Sequence, residues 1–72
     1  MDKSTNKLVI EINQAIDPQT QEDVQSYTYY LMCEGKTVES DTVNSLLECD
    51  QKAAILFGVN NYTVKEILIS IN

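Results

Sequence analysis

The sequence predicts a small α+β domain in which one amphipathic helix packs on one face of a three-stranded sheet, in the order strand, strand, helix, strand. Two early segments alternate apolar with polar residues or are rich in Tyr and Thr, which is typical of strands. A later segment repeats its apolar residues every three or four positions, which is typical of a helix. With 72 residues, 43% of them apolar, the chain fits a single domain over residues 1–72, and we expect residues 1–6 to be flexible.

The first two strands are predicted from residues 7–16 and 24–33. The polar run at residues 17–23 begins with Asp-Pro, which is turn chemistry. Asp-Pro can also open a helix, but the Tyr- and Thr-rich segment that follows favours a second strand. Gly35 then marks a tight turn or a strand end, and residues 36–39 can add a short extended piece.

The helix is predicted to begin at a cap formed by Ser40 or Asp41 and to end at Phe57. Gly58 follows at the position where a left-handed cap residue belongs. The apolar stripe that predicts this helix consists of Val43, Leu46, Leu47, Cys49, Ala53, Ala54, Leu56 and Phe57.

The last segment, residues 59–72, is compatible with two structures. As a strand it would place Ile67, Ile69 and Ile71 on one face. As a helix it would align Val64, Ile67, Leu68 and Ile71, with a capping box at residues 63–66. The β-branched composition favours the strand, and the alternative is a mostly α fold with a C-terminal helix-turn-helix.

The predicted strands have one face toward the core and one face toward solvent. The predicted core comprises Leu8, Ile10, Ile12, Tyr29, Leu31, Cys33, Leu46, Ala53, Phe57, Ile67 and Ile69. The opposite face would carry Val9, Tyr30, Met32 and Leu68. Because that face is apolar, we expect it to bind another protein or a second copy of the chain.

The composition argues against several classes of function. Five basic and eleven acidic residues give a net charge of −6, and the chain contains neither His nor Arg. Without imidazole or guanidinium groups we expect no enzyme, no bound metal and no cofactor. Cys33 and Cys49 are predicted to be reduced thiols in a cytoplasmic protein, because no membrane span or signal-peptide core is visible.

The same features favour a small acidic protein-binding module whose partner cannot be named from the sequence. It would act as an inhibitor or adaptor on a basic protein surface, or form a homodimer through its sheet. An acidic binding surface would require five carboxylates to lie together, namely Glu22, Asp23, Glu34, Glu39 and Asp41.

Residues 51–68 resemble a helix-turn-helix, in which small Ala54 lets two helices approach and Gly58 makes the turn. The residues between the helices would be Val59, Val64 and Ile67. The resemblance implies a DNA-binding regulator that presents to the major groove Asn60, Asn61, Tyr62 and Lys65. Since Lys52 and Lys65 are the only cations of this segment, phosphate contacts would be few, and we expect no nucleic-acid partner.

A second resemblance covers most of the chain. The alternating segment at residues 8–12, the turn at residues 17–20, the helix after residues 40–42 and the closing segment at residues 61–64 resemble a family of short uncharacterised bacterial strand-strand-helix-strand domains. This chain lacks the glycine that usually follows the Asp-Pro turn. The resemblance implies a fold and carries no function.

Overall fold

The computed structural model describes residues 5–70 as one sheet with one helix packed on it. In chain order the elements are β1 (Asn6–Ile16), β2 (Asp23–Cys33), β3 (Lys36–Val43), α1 (Leu46–Phe57) and β4 (Thr63–Ser70). The strands lie in the order β3-β2-β1-β4, with β1 antiparallel to β2, β2 antiparallel to β3, and β4 parallel to β1. The α+β prediction is confirmed, with four strands instead of three. Most of the segment predicted to be flexible, residues 1–4, lies outside the described residues, as does Ile71.

The long β1–β2 hairpin follows directly from the sequence pattern. Its loop is held by Asp17, whose backbone N–H donates to the carbonyl of Glu22 at 2.9 Å and whose side chain accepts from the N–H of Gln19 at 2.8 Å. This carboxylate-to-backbone bond is the turn chemistry that Asp favours. The register pairs Leu8 with Leu31, so apolar side chains of both strands lie on one face.

The short piece predicted at residues 36–39 is in fact a full third strand, β3. A two-residue turn connects it to β2, with positive φ at Glu34 (52°) and Gly35 (81°). Positive φ at both central positions is what a tight hairpin turn needs to match the strand twist. Because this hairpin continues the sheet, Ser40 pairs with Tyr30 and Asp41 with Tyr29.

The predicted helix start at Ser40 or Asp41 is therefore wrong, since both residues lie within β3. The helix begins at Leu46, and Ser45 is its N-cap, with an extended backbone. The Ser45 hydroxyl accepts from the N–H of Glu48 at 3.3 Å, and the Glu48 carboxylate accepts from the N–H of Asn44 at 3.3 Å. The first bond satisfies a helix-end donor, and the second reaches the residue before the cap, so the arrangement resembles a capping box displaced by one residue on its carboxylate side. At the other end, the helix stops at Phe57 as predicted.

The cap position makes a first prediction. Ser45→Ala removes the side-chain acceptor for the Glu48 N–H, so we expect the free energy of unfolding to fall by about 1 kcal/mol. Ser40→Ala is the matched control, because its side chain is exposed on β3 and caps no helix. Urea unfolding followed by circular dichroism measures both. A larger loss in the Ser40 variant would place the cap where the sequence alone suggested it.

The core is small and lies between α1 and the centre of the sheet. Its fully buried members are Leu8, Ile10, Tyr29, Leu31, Cys49 and Ala53, with Ile12 and Phe57 partly buried against them. Four predicted core residues lie outside this cluster: Cys33 is half-buried, Leu46 is exposed, and Ile67 and Ile69 lie on the opposite face of the sheet. The reason is the parallel register, which sets Glu66 beside Ile10 and so sends the odd-numbered residues of β4 away from the helix.

The helix covers only part of its face of the sheet. Its closest packing is against β1 and β2, and its packing against β4 is the weakest of the four strands. The start of β4 is fastened to α1 by Tyr62, whose ring lies 6.2 Å from that of Phe57 and whose hydroxyl donates to the carboxylate of Asp50. Beyond that anchor, the helix leaves β4 uncovered.

Candidate protein-binding surface

Strand β4 forms one edge of the sheet and exposes apolar side chains on both of its faces. Within residues 5–70 no strand pairs with its outer side. On the helix face Val64 is 51% exposed and Leu68 is 65% exposed, and on the other face Ile67 is 38% exposed. Such an edge offers a row of backbone N–H and C=O groups between apolar side chains, which is a template for another strand.

The opposite edge, β3, is irregular and carries three charged residues, whereas β4 pairs with β1 without a bulge and carries two, Lys65 and Glu66. The charged residues of β3 are Lys36, Glu39 and Asp41, and its ladder with β2 is interrupted by a bulge between Leu31 and Met32. Charged side chains and bulges are the usual devices that stop an edge from pairing with another chain. The bulge and the additional charge make β3 the better protected edge and β4 the more open one.

The face of the sheet away from the helix, called the open face here, matches the predicted apolar face in part. Val9 is paired with Tyr30, and Met32 lies on the same face, so these three residues come together as predicted. Leu68 does not, because it is paired with Ile12 and lies on the helix face. Ile67 and Ile69 of β4 take its place.

Hydrogen bonds between side chains already occupy much of the open face. The Tyr30 hydroxyl donates to the Glu11 carboxylate at 2.8 Å, and this bond raises the pKa of Tyr30. A second row crosses the sheet, where the amide of Asn13 donates to Thr28 at 3.1 Å and Thr28 bonds Thr42 at 3.1 Å. These rows stiffen the middle of the sheet and leave the side next to β4 as its more apolar part.

The five carboxylates predicted for an acidic surface do not lie together. Glu22 and Asp23 are at the loop end of β2, and Glu34 is at its other end, about 33 Å away along an extended strand of this length. Glu39 and Asp41 lie between them, on the helix face of β3. The five carboxylates therefore form two separate pairs, Glu22 with Asp23 and Glu39 with Asp41, and Glu34 lies apart from both.

Glu39 is already engaged by a core residue. It accepts a hydrogen bond of 3.1 Å from the hydroxyl of Tyr29. Burial, and next this bond, raise the pKa of Tyr29 to about 12. The bond ties the acidic edge strand to the core, so Glu39 acts as part of the fold as well as of the surface.

The residues predicted for the DNA-binding alternative serve the connection between α1 and β4. Asn60 has a positive φ of 64° in the loop, and the Asn61 amide donates to the carbonyl of Phe57 at 3.2 Å. The hydrogen bond to Asp50 raises the pKa of Tyr62 to about 12. Lys65 is exposed on the open face of β4. Since residues 63–70 are a strand, the predicted recognition helix is wrong.

The chemistry of the remaining groups is modest. Cys33 and Cys49 are free thiols, and burial raises the pKa of Cys49. Among residues 5–70, no three Cys, Asp or Glu side chains gather in a way that could hold a metal ion. In that same part of the chain the helix is too short and too polar to cross a membrane.

Comparison of the chain with protein-family models, with curated proteins and with solved structures finds no match. The resemblance to short bacterial strand-strand-helix-strand domains therefore stays a prediction. The resemblance to a helix-turn-helix is decided by the fold, because residues 63–70 form a strand. Of the β4 residues, Leu68 was predicted for a protein-binding surface, whereas Val64, Ile67 and Ile69 were not. A consecutive apolar run at residues 67–69 was the available signal, because it leaves apolar groups on both faces of whichever strand carries it.

Proposed function

We propose that this chain is a non-enzymatic protein-binding module that binds an extended strand of its partner along the edge of β4. The observation that carries the proposal is the contrast between the two edges of one sheet. β3 is bulged and carries three charged residues, whereas β4 is regular, carries Lys65 and Glu66, and exposes apolar side chains on both faces. Proteins protect edges that must not pair, so the less protected edge, β4, is the one available for a partner.

Strand addition would supply both affinity and selectivity at this edge. Main-chain hydrogen bonds to the outer side of β4 give affinity for any extended segment. Selectivity would come from side chains that alternate between Val64 and Leu68 on one face and Ile67 and Ile69 on the other. A partner strand with apolar residues at matching positions fits best.

The charge of the chain suggests the character of its partner. A net charge of −6 speeds encounter with a basic protein surface, although it adds little to affinity once the strands are paired. We propose an adaptor or inhibitor that acts in the cytoplasm, where the free thiols Cys33 and Cys49 stay reduced.

A synthetic strand peptide tests this proposal without knowledge of the natural partner. The probe is a capped peptide of alternating Val and Lys, added to the isotope-labelled protein while backbone amide shifts are recorded. We expect shift changes concentrated in residues 63–70 and in their β1 neighbours, because an added strand bonds to the outer amides of β4.

The control is the same peptide with its central residue replaced by Pro, which cannot complete the ladder. It should change the shifts of β4 much less than the probe does. Changes confined to Glu39 and Asp41 would mean that the probe binds as a cation to the acidic strand. That result, or no change in either edge, would contradict the proposed function.

A further inference from the structure

We infer that the strand bound by β4 is the β4 strand of a second copy of this chain, so that two copies form one continuous sheet of twice four strands. The inference rests on the proposed function, because it requires that the β4 edge binds a strand. The two β4 strands run antiparallel about a twofold axis perpendicular to the sheet, and the axis passes beside Ile67.

Twofold pairing of β4 explains why β3 is the better protected edge. In such a dimer both β4 edges are used, and the outer edges are the two copies of β3, which carry charges and a bulge. A head-to-tail arrangement of β4 on β3 would leave a free edge at each end and would grow without limit. A better protected β3 and a more open β4 are therefore what an assembly that stops at two copies requires.

The side chains of β4 select the register of this pairing. A twofold axis perpendicular to the sheet pairs residues that point to the same face, and such residues are an even number of positions apart along β4. The midpoint of every pair is therefore a residue, and the axis passes beside that residue. An axis at Lys65 or at Glu66 would bring that charge directly opposite its own copy, which is destabilising. An axis at Ile67 pairs Ile67 with itself and keeps residues 64–70 in the ladder, whereas an axis at Leu68 keeps only residues 66–70.

The size of the contact predicts a reversible dimer. A strip of seven residue pairs is about 23 Å long and about 10 Å deep. It is smaller than the roughly 1,200 Å² at which stable interfaces begin, so the dimer belongs to the transient class. Each copy carries a charge of −6, so added salt should screen the repulsion and tighten the dimer. Binding to a basic partner would weaken under the same conditions.

Sedimentation velocity of the full chain across roughly 1 µM to 1 mM tests the inference, since a transient dimer dissociates within this range. We expect a monomer–dimer equilibrium that shifts toward the dimer at high salt. Ile67→Lys and Ile67→Glu should each raise the dissociation constant at least about tenfold, because each places like charges opposite one another. An equal mixture of the two variants should restore the dimer, since the opposed charges then attract.

The matched control is Val38→Lys, which adds the same charge to the exposed part of β3 and should leave the dissociation constant unchanged. Circular dichroism confirms that each variant is folded. For the unmodified chain, isotope-filtered NMR on a mixture of labelled and unlabelled protein should show contacts between the Ile67 side chains of two copies, which needs no variant.

A chain that stays monomeric at every concentration while the strand peptide still binds β4 would overturn the self-pairing and leave the proposed function standing. If the chain stays monomeric and the strand peptide does not bind β4 either, both the self-pairing and the proposed function are overturned. A dimer in which the mixture of charge variants restores nothing at Ile67, but does so at Leu68, would also contradict the inference, because it places the axis elsewhere.

Discussion

Replacement of Leu31 by alanine should remove a large part of the stability of this protein. Leu31 is 0% exposed, lies on the inner strand β2, and faces Leu8 across the β1–β2 ladder. Loss of a buried leucine side chain costs about 2–5 kcal/mol, because the surrounding residues close the cavity only in part. Small domains have only about 5–15 kcal/mol in total, and this one, whose core within residues 5–70 is small, should lie near the lower end.

Urea unfolding measured by circular dichroism gives the change in free energy. Leu47→Ala is the matched control, since it removes the same atoms from a helix residue that is 65% exposed. We expect the control to change stability by about 0.5 kcal/mol or less. Equal losses at the two positions would mean that the core does not lie between α1 and β2.

Replacement of Gly58 by alanine should have the second largest effect. Gly58 ends the helix with φ of 97° and ψ of 149°, a region that residues with a side chain scarcely populate. An added Cβ would also lie 2.8 Å from the amide nitrogen of Asn61, which donates to the carbonyl of Phe57. Backbone strain and the loss of this bond together should cost about 2–4 kcal/mol.

Gly35→Ala separates the two causes. Gly35 also has a positive φ, 81°, but nothing lies within 4 Å of the position of an added Cβ. It should therefore show the backbone cost alone, about 1–2 kcal/mol. Thermal or urea unfolding of both variants checks the order. A greater loss at Gly35 than at Gly58 would contradict the role assigned to Asn61.

The hairpin and the end of the helix could be predicted because their signals are local. Alternation at Leu8, Ile10 and Ile12 sets the inner face of β1, and Gly58 stops the helix one residue after Phe57. Such patterns depend on strand and helix periods and on backbone preferences, which neighbouring residues alone determine.

The helix start was wrong because two segments carry equally good cap residues. Ser40, Asp41 and Ser45 can all accept a backbone N–H, and local chemistry does not rank them. What decides is β2, whose outer side pairs with residues 36–43 and draws them into the sheet. That pairing is a tertiary interaction, and the Glu-Gly turn that starts it is less characteristic than Asn-Gly.

The binding surface could be predicted only in part, for a similar reason. Val9, Tyr30 and Met32 share a face because an antiparallel hairpin fixes their alternation locally. The face taken by Leu68 depends on the register between β4 and β1, two strands that are far apart in the sequence. A shift of one residue exchanges the two faces of a strand, so Ile67 and Leu68 were assigned to the wrong sides.

Residue-by-residue amide hydrogen exchange of β4 tests the open edge most directly. In dilute solution we expect every second amide of residues 63–70 to be protected by its bond to β1, while the amides between them exchange quickly. The quickly exchanging amides should become protected when the strand peptide or more of the chain itself is added. Fast exchange at all eight amides, or protection of all eight that persists on dilution and in the Ile67→Lys variant, would contradict the open edge at β4.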